Sequence, residues 1–379
     1  MENIAVFFGG VSSEHDISII TGIQTINSLD KKKYKVFPIY ISKSGKWFYS
    51  EKFERVDKFF NFKEKSHKNV FLMCGDNFLY QKIGIIVKKI AEINSAIICC
   101  HGLNGEDGTL QGLLELSNVP YSSSGVLGSS VCMDKIIMKQ LFEVNNFPVT
   151  DYVWFNNTDF DNKKEMVITN IKKNLQYPLI VKPANLGSSI GISKCNNDTE
   201  LTKAIEIAKC YDLRIIVEEA VENLREINCA CIGNQDFAEV SKLEEPIPWE
   251  SFLSFKQKYL NIANVKYERK DNINLSKDIK SKIKKLTKDA FFKLCCSGIV
   301  RVDFLVDDKS DDVFINEINT IPGSLANYLW KNLNYTTLLD KLIEISKQNF
   351  ENKKKCCFSY DSDALKNFKN NNNSFKINK

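Results

Sequence analysis

Histidine is scarce in this chain, with three among 379 residues. Twelve cysteines are present but no C-x-x-C spacing, so nothing in the sequence suggests a structural zinc site. No apolar run comes near the ~18 residues that a membrane-crossing helix needs, and no membrane span is expected. The opening stretch MENIAVFFGGVSSEHD lacks a charged segment followed by an apolar one, so no secretory leader is expected either. The cysteines, including the adjacent pairs Cys99-Cys100, Cys295-Cys296 and Cys356-Cys357, therefore read as reduced, mostly small core residues of a cytoplasmic protein. A basic face is missing too. The formal charge is +5, but the stretch from Lys353 to Lys379 holds seven Lys against two Asp, so the rest of the chain is formally neutral. A nucleic-acid partner is not expected.

What is present is enough apolar material, 43% of the residues, for two or three packed domains. Ile4 to Gly10 (IAVFFGG) is a short apolar run ending in a glycine pair, and SSEHDISIITGIQTINSL follows with helical spacing. Tyr34 to Ser42 and Ser95 to Gly102 are further strand candidates. Residues 1–128 are thus expected to form an open, largely parallel α/β domain. Residues 44 to 78, rich in Lys and Phe, show weak periodicity and carry no assignment. Beyond Met133 the texture changes. YPLIVKPANLGSSIGISK reads as strand, Gly/Ser loop, strand, a hairpin rather than β-α-β. LRIIVEEAV, EINCACIGN and QDFAEVSKLEE add strands, and KDIKSKIKKLTKDAFFKL is an amphipathic helix. GIVRVDFLVD and DVFINEINT make a last strand pair. This part reads as α+β with antiparallel strands. We divide it into 129–217 and 218–352, and expect the low-complexity stretch 353–379 to be disordered.

Several stretches carry chemistry. Asp303 lies in RVDFLV, and Glu317 and Asn319 lie in FINEINT. Residues two apart on a strand point to one face, and a hairpin between these strands would bring Asp303 opposite the other two. Three oxygen-bearing side chains on one face suit Mg²⁺ shared with nucleotide phosphates; the alternative is a solvated acidic face. Lys182 at a strand end, followed by Gly187-Ser188-Ser189, offers a charge, hydroxyls and backbone N–H groups to phosphate oxygens, or is a plain hairpin turn. It is not a Walker A loop, because the G-x-x-x-x-G-K-[ST] pattern is missing. In GGVSSEHDIS, Glu14 and Asp16 would repel an anion at a helix N-terminus. Either Ser13 caps the helix with Asp16 at its third position, or Glu14 receives an ammonium group. HGLNGEDGTLQGLLE gathers Gly102, Gly105, Gly108 and Gly112 around Glu106 and Asp107. Such a loop at the C-terminal end of a strand is where α/β sheets bind ligands, or it is structural.

Together with VPYSSSGVLGSSVCMDK, VEEAVENLRE and NEINTIPG, these stretches resemble the D-alanine–D-alanine ligases of the ATP-grasp superfamily, in the family's order from residue 4 to about 323. The resemblance implies an ATP-grasp fold behind the N-terminal α/β domain, and a cytoplasmic homodimeric enzyme of peptidoglycan synthesis. ATP would phosphorylate the carboxylate of one D-alanine, and the amine of a second would attack the acyl phosphate. By this resemblance Lys135, Lys182 and Lys258 hold the ATP phosphates. Glu218 and the backbone near Val221 read adenine, and Glu226 takes the ribose. Asp303, Glu317 and Asn319 bind two Mg²⁺ or Mn²⁺ ions. Glu14 accepts the ammonium of the first substrate within a hydrogen-bonded set that includes Ser188 and Tyr259, while Arg301 and the Gly323 N–H meet the oxyanion of the tetrahedral intermediate. Lys258 and Tyr259 sit in FLSFKQKYLN, which resembles the family's closing loop, and the tyrosine resembles the ligases that form a peptide. The chain departs from the family pattern after Pro322-Gly323. Where the family has a Ser-Leu pair whose Ser binds the second substrate's carboxylate, this chain has Tyr328 and Leu329. That implies either a different second substrate, such as D-serine, or a repacked loop with unchanged activity.

Overall fold

The computed structural model describes residues 1–246, 269–270 (backbone), 273–357, 359, 361–365 and 368. Strand β1 (Glu2–Gly9) is enclosed from residue 4 onward, which is why its sequence is apolar without alternation. It pairs in parallel with β2 (Tyr34–Ile41) and β7 (Ser95–Ile98), and β3 (Trp47–Tyr49) adds an antiparallel edge to β2. Helix α1 (His15–Ser28) returns the chain between β1 and β2. The domain is less purely parallel than expected. The unassigned stretch after residue 44 forms an aromatic cluster, with ring centroids 4.7 Å apart for Tyr40–Phe62 and 5.2 Å for Phe48–Phe62. It also supplies β4 (Val70–Leu72), which joins β5 (Phe78–Ile83) and β6 (Ile86–Glu92) in a separate antiparallel sheet. Aromatic packing has no sequence period, and for that reason this part was illegible.

Three short helices, α2 (Thr109–Leu116), α3 (Val126–Met133) and α4 (Lys135–Val144), lead into the second sheet. There β8 (Tyr152–Asn156), β9 (Leu179–Pro183), β10 (Ser193–Cys195) and β11 (Arg214–Glu219) pair antiparallel in the order β10-β9-β11-β8. Helices α5 (Asn157–Asn174) and α6 (Asp198–Lys209) close a core over one face of it. The expected β9–β10 hairpin is present, with Ser193 opposite Val181.

The third sheet runs β14-β13-β12-β15-β16, built from β12 (Leu224–Gly233), β13 (Ala238–Pro246), β14 (Arg269–Lys270), β15 (Gly298–Asp307) and β16 (Val313–Asn319), all antiparallel. Helix α7 (Lys277–Lys293) buries Ile279, Ile283, Thr287, Ala290 and Phe291, one helical stripe, against it. The Ser276 hydroxyl accepts from the Ile279 N–H and caps its start. The last helix, α8 (Tyr335–Lys354), does not belong to this core. Its Leu338, Leu339, Leu342, Ile343 and Ile345 are buried with β1, β2 and β7. It also runs to Lys354, just past the boundary set at residue 353. Of the twelve cysteines none is bridged, and seven are buried.

Candidate active site

Along β15 buried and half-buried residues alternate, so Arg301, Asp303 and Leu305 share one face. In the antiparallel pairing Asp303 stands opposite Glu317 and Arg301 opposite Asn319. The Asn319 amide donates to Asp303 Oδ2 at 3.0 Å. The Arg301 guanidinium forks onto the same carboxylate, with Nε 2.6 Å from Oδ1 and Nη2 2.7 Å from Oδ2. Among the described residues no three His, Cys, Asp or Glu side chains form a metal cage. The donor set is two carboxylates and an amide oxygen. Such hard donors fit Mg²⁺ when phosphate oxygens and water supply the remaining positions. A register shift beside Asp303 leaves Asn316 outside the ladder, and its Oδ1 accepts from Lys182 Nζ at 3.2 Å. Bulges next to sites re-aim side chains in this way. Only the pairing register reveals that role for Asn316.

Two of the expected lysines reach this face from other elements. Lys135 opens α4, whose N-terminus is capped by Asp134 accepting from the N–H groups of Ile136 and Ile137. Asp134 is itself held by Arg214. Lys135 Nζ lies 2.7 Å from the Leu186 carbonyl, to which it donates, and 3.4 Å from Glu317 Oε2. Lys182, at the end of β9, donates to Glu218 Oε2 at 2.8 Å. The other oxygen of Glu218 lies 3.4 Å from Lys139 Nζ. Burial alone would raise the Glu218 carboxyl, but Lys139 and Lys182 outweigh it and hold it down at about 2. Burial lowers Lys139 to about 8, with Glu218 pulling the other way. Lys139 was not anticipated. On α4 it stands three residues after Ile136 and three before Phe142, on the buried stripe of the helix, where an apolar residue would be expected.

The third component lies at the start of α1. The helix begins at His15, with Glu14 rather than Ser13 in the capping position and no side-chain cap bond. Glu14 is therefore turned away from its own helix. Its carboxylate accepts from the Ser188 hydroxyl, which the β9–β10 loop delivers with Ser188 and Ser189 both in the left-handed region (φ 56° and 57°). The two loops can approach because glycines face the carboxylate: a Cβ on Gly187 or Gly102 would sit 2.9 Å from Glu14 Oε2. Behind Glu14, Glu106 accepts the N–H groups of Gly102 (2.7 Å) and Ile321 (2.9 Å). Burial, with the Glu14 charge adding to it, pushes the Glu106 carboxyl up to about 8.

A carbonyl can only accept, so buried His101 carries its proton on Nδ1, which donates to Ile321 O at 2.7 Å. Burial lowers its pKa and keeps it neutral. His101 Nε2 then accepts from the Thr21 hydroxyl (2.8 Å), whose oxygen accepts the Ser324 N–H at 3.1 Å. The Pro322-Gly323 turn is thus clamped on both sides by the N-terminal domain. Past it, Ser324, Leu325 and Ala326 all have positive φ, at 51°, 47° and 47°. Leu325, Ala326 and Leu329 are buried in the first core, and half-buried Tyr328 packs against it. Leu329, fully enclosed, offers no side-chain surface to a ligand.

These parts enclose two adjoining cavities. The larger, about 400 Å³, is walled by Lys135, Lys182, Ser188, Glu218, Val221 and Glu226, with Asp303 and Glu317 at one end. The smaller, about 40 Å³, is walled by Glu14, Gly102, Glu106 and Asn319. Lys135, Leu186, Gly187 and Glu317 line both. Lys258 and Tyr259 fall outside the described residues.

Family models described as D-ala D-ala ligase N-terminus and D-ala D-ala ligase C-terminus match residues 3–124 and 141–344. A D-alanine–D-alanine ligase from Thermosipho melanesiensis is 39% identical over 97% of this chain and 99% of its own length. The chain belongs to the D-alanine–D-alanine ligase family. The ligase from Staphylococcus epidermidis is 37% identical over 95% of this chain and 99% of its own. Among solved structures, the D-alanine–D-alanine ligase from Coxiella burnetii superposes with a TM-score of 0.79 at 30% identity, over 98% of this chain and 99% of that one. The VanG D-Ala:D-Ser ligase from Enterococcus faecalis gives 0.78 at 30% identity, over 91% and 99%. The ATP-grasp fold, the ligase class and the use of ATP follow from membership in this D-alanine–D-alanine ligase family.

Proposed function

We infer that this enzyme joins two D-alanine molecules at the cost of ATP, and that the wall shared by the two cavities is where the γ-phosphoryl group passes. One observation carries the reading: Lys135, Gly187 and Glu317 face a nucleotide-sized cleft on one side and the Glu14 pocket on the other. Lys135 and Lys182 hold the phosphates in the cleft. Glu14, assisted by Ser188, accepts the ammonium of the first D-alanine and so points its carboxylate at the terminal phosphate. Transfer forms a carboxyl–phosphate bond and breaks the bond to ADP. The amine of the second D-alanine attacks the acyl carbon, and phosphate leaves as the peptide bond forms. Proximity and fixed charge supply most of the acceleration expected for such a transfer. Asp303, Glu317 and Asn319 would hold Mg²⁺, which when bound neutralises phosphate charge. Arg301 and the Gly323 N–H face the developing oxyanion. The reading includes a cytosolic homodimer that supplies the dipeptide for peptidoglycan.

ADP release with D-alanine alone and with a panel of second amino acids tests this. Turnover on D-alanine alone is expected; turnover only when D-serine or another acceptor is added would transfer the assignment to a mixed ligase. Glu317→Ala should abolish ADP release while leaving the folded state intact by circular dichroism. Retained activity in that variant would remove Glu317 from the metal set.

A further inference from the structure

A buried lysine on α4, Lys139, stands behind the cleft and has no part in the reaction as described. Lys139 is 1% exposed and does not line the cleft, but one of its partners, Glu218, does. Its ammonium donates to the Thr150 carbonyl (3.1 Å) and hydroxyl (2.6 Å), lies 3.4 Å from Glu218 Oε1, and faces the ring of Tyr152, whose centroid is 5.1 Å away. Glu218 is 2% exposed and lines the cleft, and Lys182 holds its second oxygen from the cleft side. One carboxylate thus bridges two ammonium groups, one sealed in and one facing a ligand.

We propose that Lys139 is a positioning residue for nucleotide recognition: by fixing Glu218 from behind, it sets both the direction of Lys182 and the base that the cleft accepts. The proposal rests on the reading that the cleft holds ATP. A buried carboxylate with a single cation can rotate about its last torsion to follow it. One pinned between Lys139 and Lys182 cannot, because either rotation breaks a charge-assisted contact. A fixed, ionised Glu218 has lone pairs left to accept an N–H from the base. An exocyclic amino group meets that need, whereas a carbonyl at the same place sets two acceptors against each other. The lowered Lys139 pKa of about 8 leaves it charged at neutral pH, as this role requires. The cluster, two lysines against one glutamate, also presents net positive charge to an anionic ligand.

The test is direct nucleotide binding by calorimetry with ADP and GDP, together with steady-state kinetics in ATP and GTP. Lys139→Met should weaken ADP binding and raise KM for ATP about tenfold or more, the scale of one lost charge-assisted contact. It should narrow the preference for ATP over GTP and leave KM for D-alanine unchanged. Lys139→Arg should restore part of the preference. Thr150→Val, which removes only the hydroxyl that orients Lys139, should move the same quantities in the same direction by a smaller factor. It decides the matter if Lys139→Met does not fold. Lower thermal stability in these variants with unchanged ADP affinity and unchanged base preference would overturn the proposal. Wild-type protein that binds no adenine nucleotide would instead overturn the reading beneath it.

Discussion

At Gly187 a hydrogen atom is what lets the β9–β10 loop and the Glu14 pocket meet. A Cβ there would fall 2.9 Å from Glu14 Oε2, and the carboxylate would have to leave Ser188 to make room. Gly187→Ala should therefore raise KM for D-alanine by ~10-fold or more through lost positioning, with a smaller effect on KM for ATP. Equal losses for both substrates would mean that the loop itself had moved. Glu218 carries a pH dependence. Its carboxyl is held at about 2, below its ordinary 4.5, so its contribution to stability is complete above pH 4.5 and is lost as the pH falls from there towards 2. The difference in urea midpoint between pH 7 and pH 3 should be smaller in Glu218→Gln than in the wild type. An equal difference would show that the two lysines do not stabilise the charged form.

Between elements, the joint of interest ties α1 to the turn after β16. Three consecutive non-glycine residues in the left-handed region cost about 1–2 kcal/mol each. The turn offsets this by burying Leu325, Ala326 and Leu329 and by docking the Ser324 N–H on Thr21. Thr21 thereby holds the residue next to Gly323, whose N–H we propose meets the oxyanion. Thr21→Val keeps the shape and removes the hydroxyl. It should lower kcat about tenfold, with Thr21→Ser near wild type. If Thr21→Val turns over normally, His101 and Glu106 suffice to place the turn through Ile321. The apolar texture of residues 324 to 330 has the same origin. These residues are core of the N-terminal domain, so the sequence departure at Tyr328 and Leu329 reflects packing as well as any ligand.

Over the whole molecule, α8 closes the first core although it follows the third in sequence. Leu342 is fully buried there, and Leu342→Ala should lower stability by roughly 2–5 kcal/mol. Because the helix joins the last part of the chain to the first, the loss should appear as one earlier unfolding transition in denaturant. A separate early transition of the third sheet alone would contradict that packing.

Much of this architecture was legible from periodicity. The apolar run of β1, the period-two pattern of β15 and β16, and the helical stripe of α7 each bury the face their spacing dictates, because burial acts on every turn or every second residue alike. The Asp303–Glu317–Asn319 face and the Lys182 loop followed from the same local geometry, and family resemblance supplied Lys135, Glu218 and Arg301. The rest had no local signal. The pairing of Lys139 with Glu218, that of Asn316 with Lys182 and the clamp from Thr21 through His101 to Ile321 are contacts between distant segments. A one-residue register or a buried amine depends on what lies opposite, and the chain does not spell that out. The sequence by itself determined which residues are chemically able to hold phosphate, metal and ammonium. Only the tertiary structure decided how they share walls, since distance and desolvation, rather than residue type, set what each charge can do.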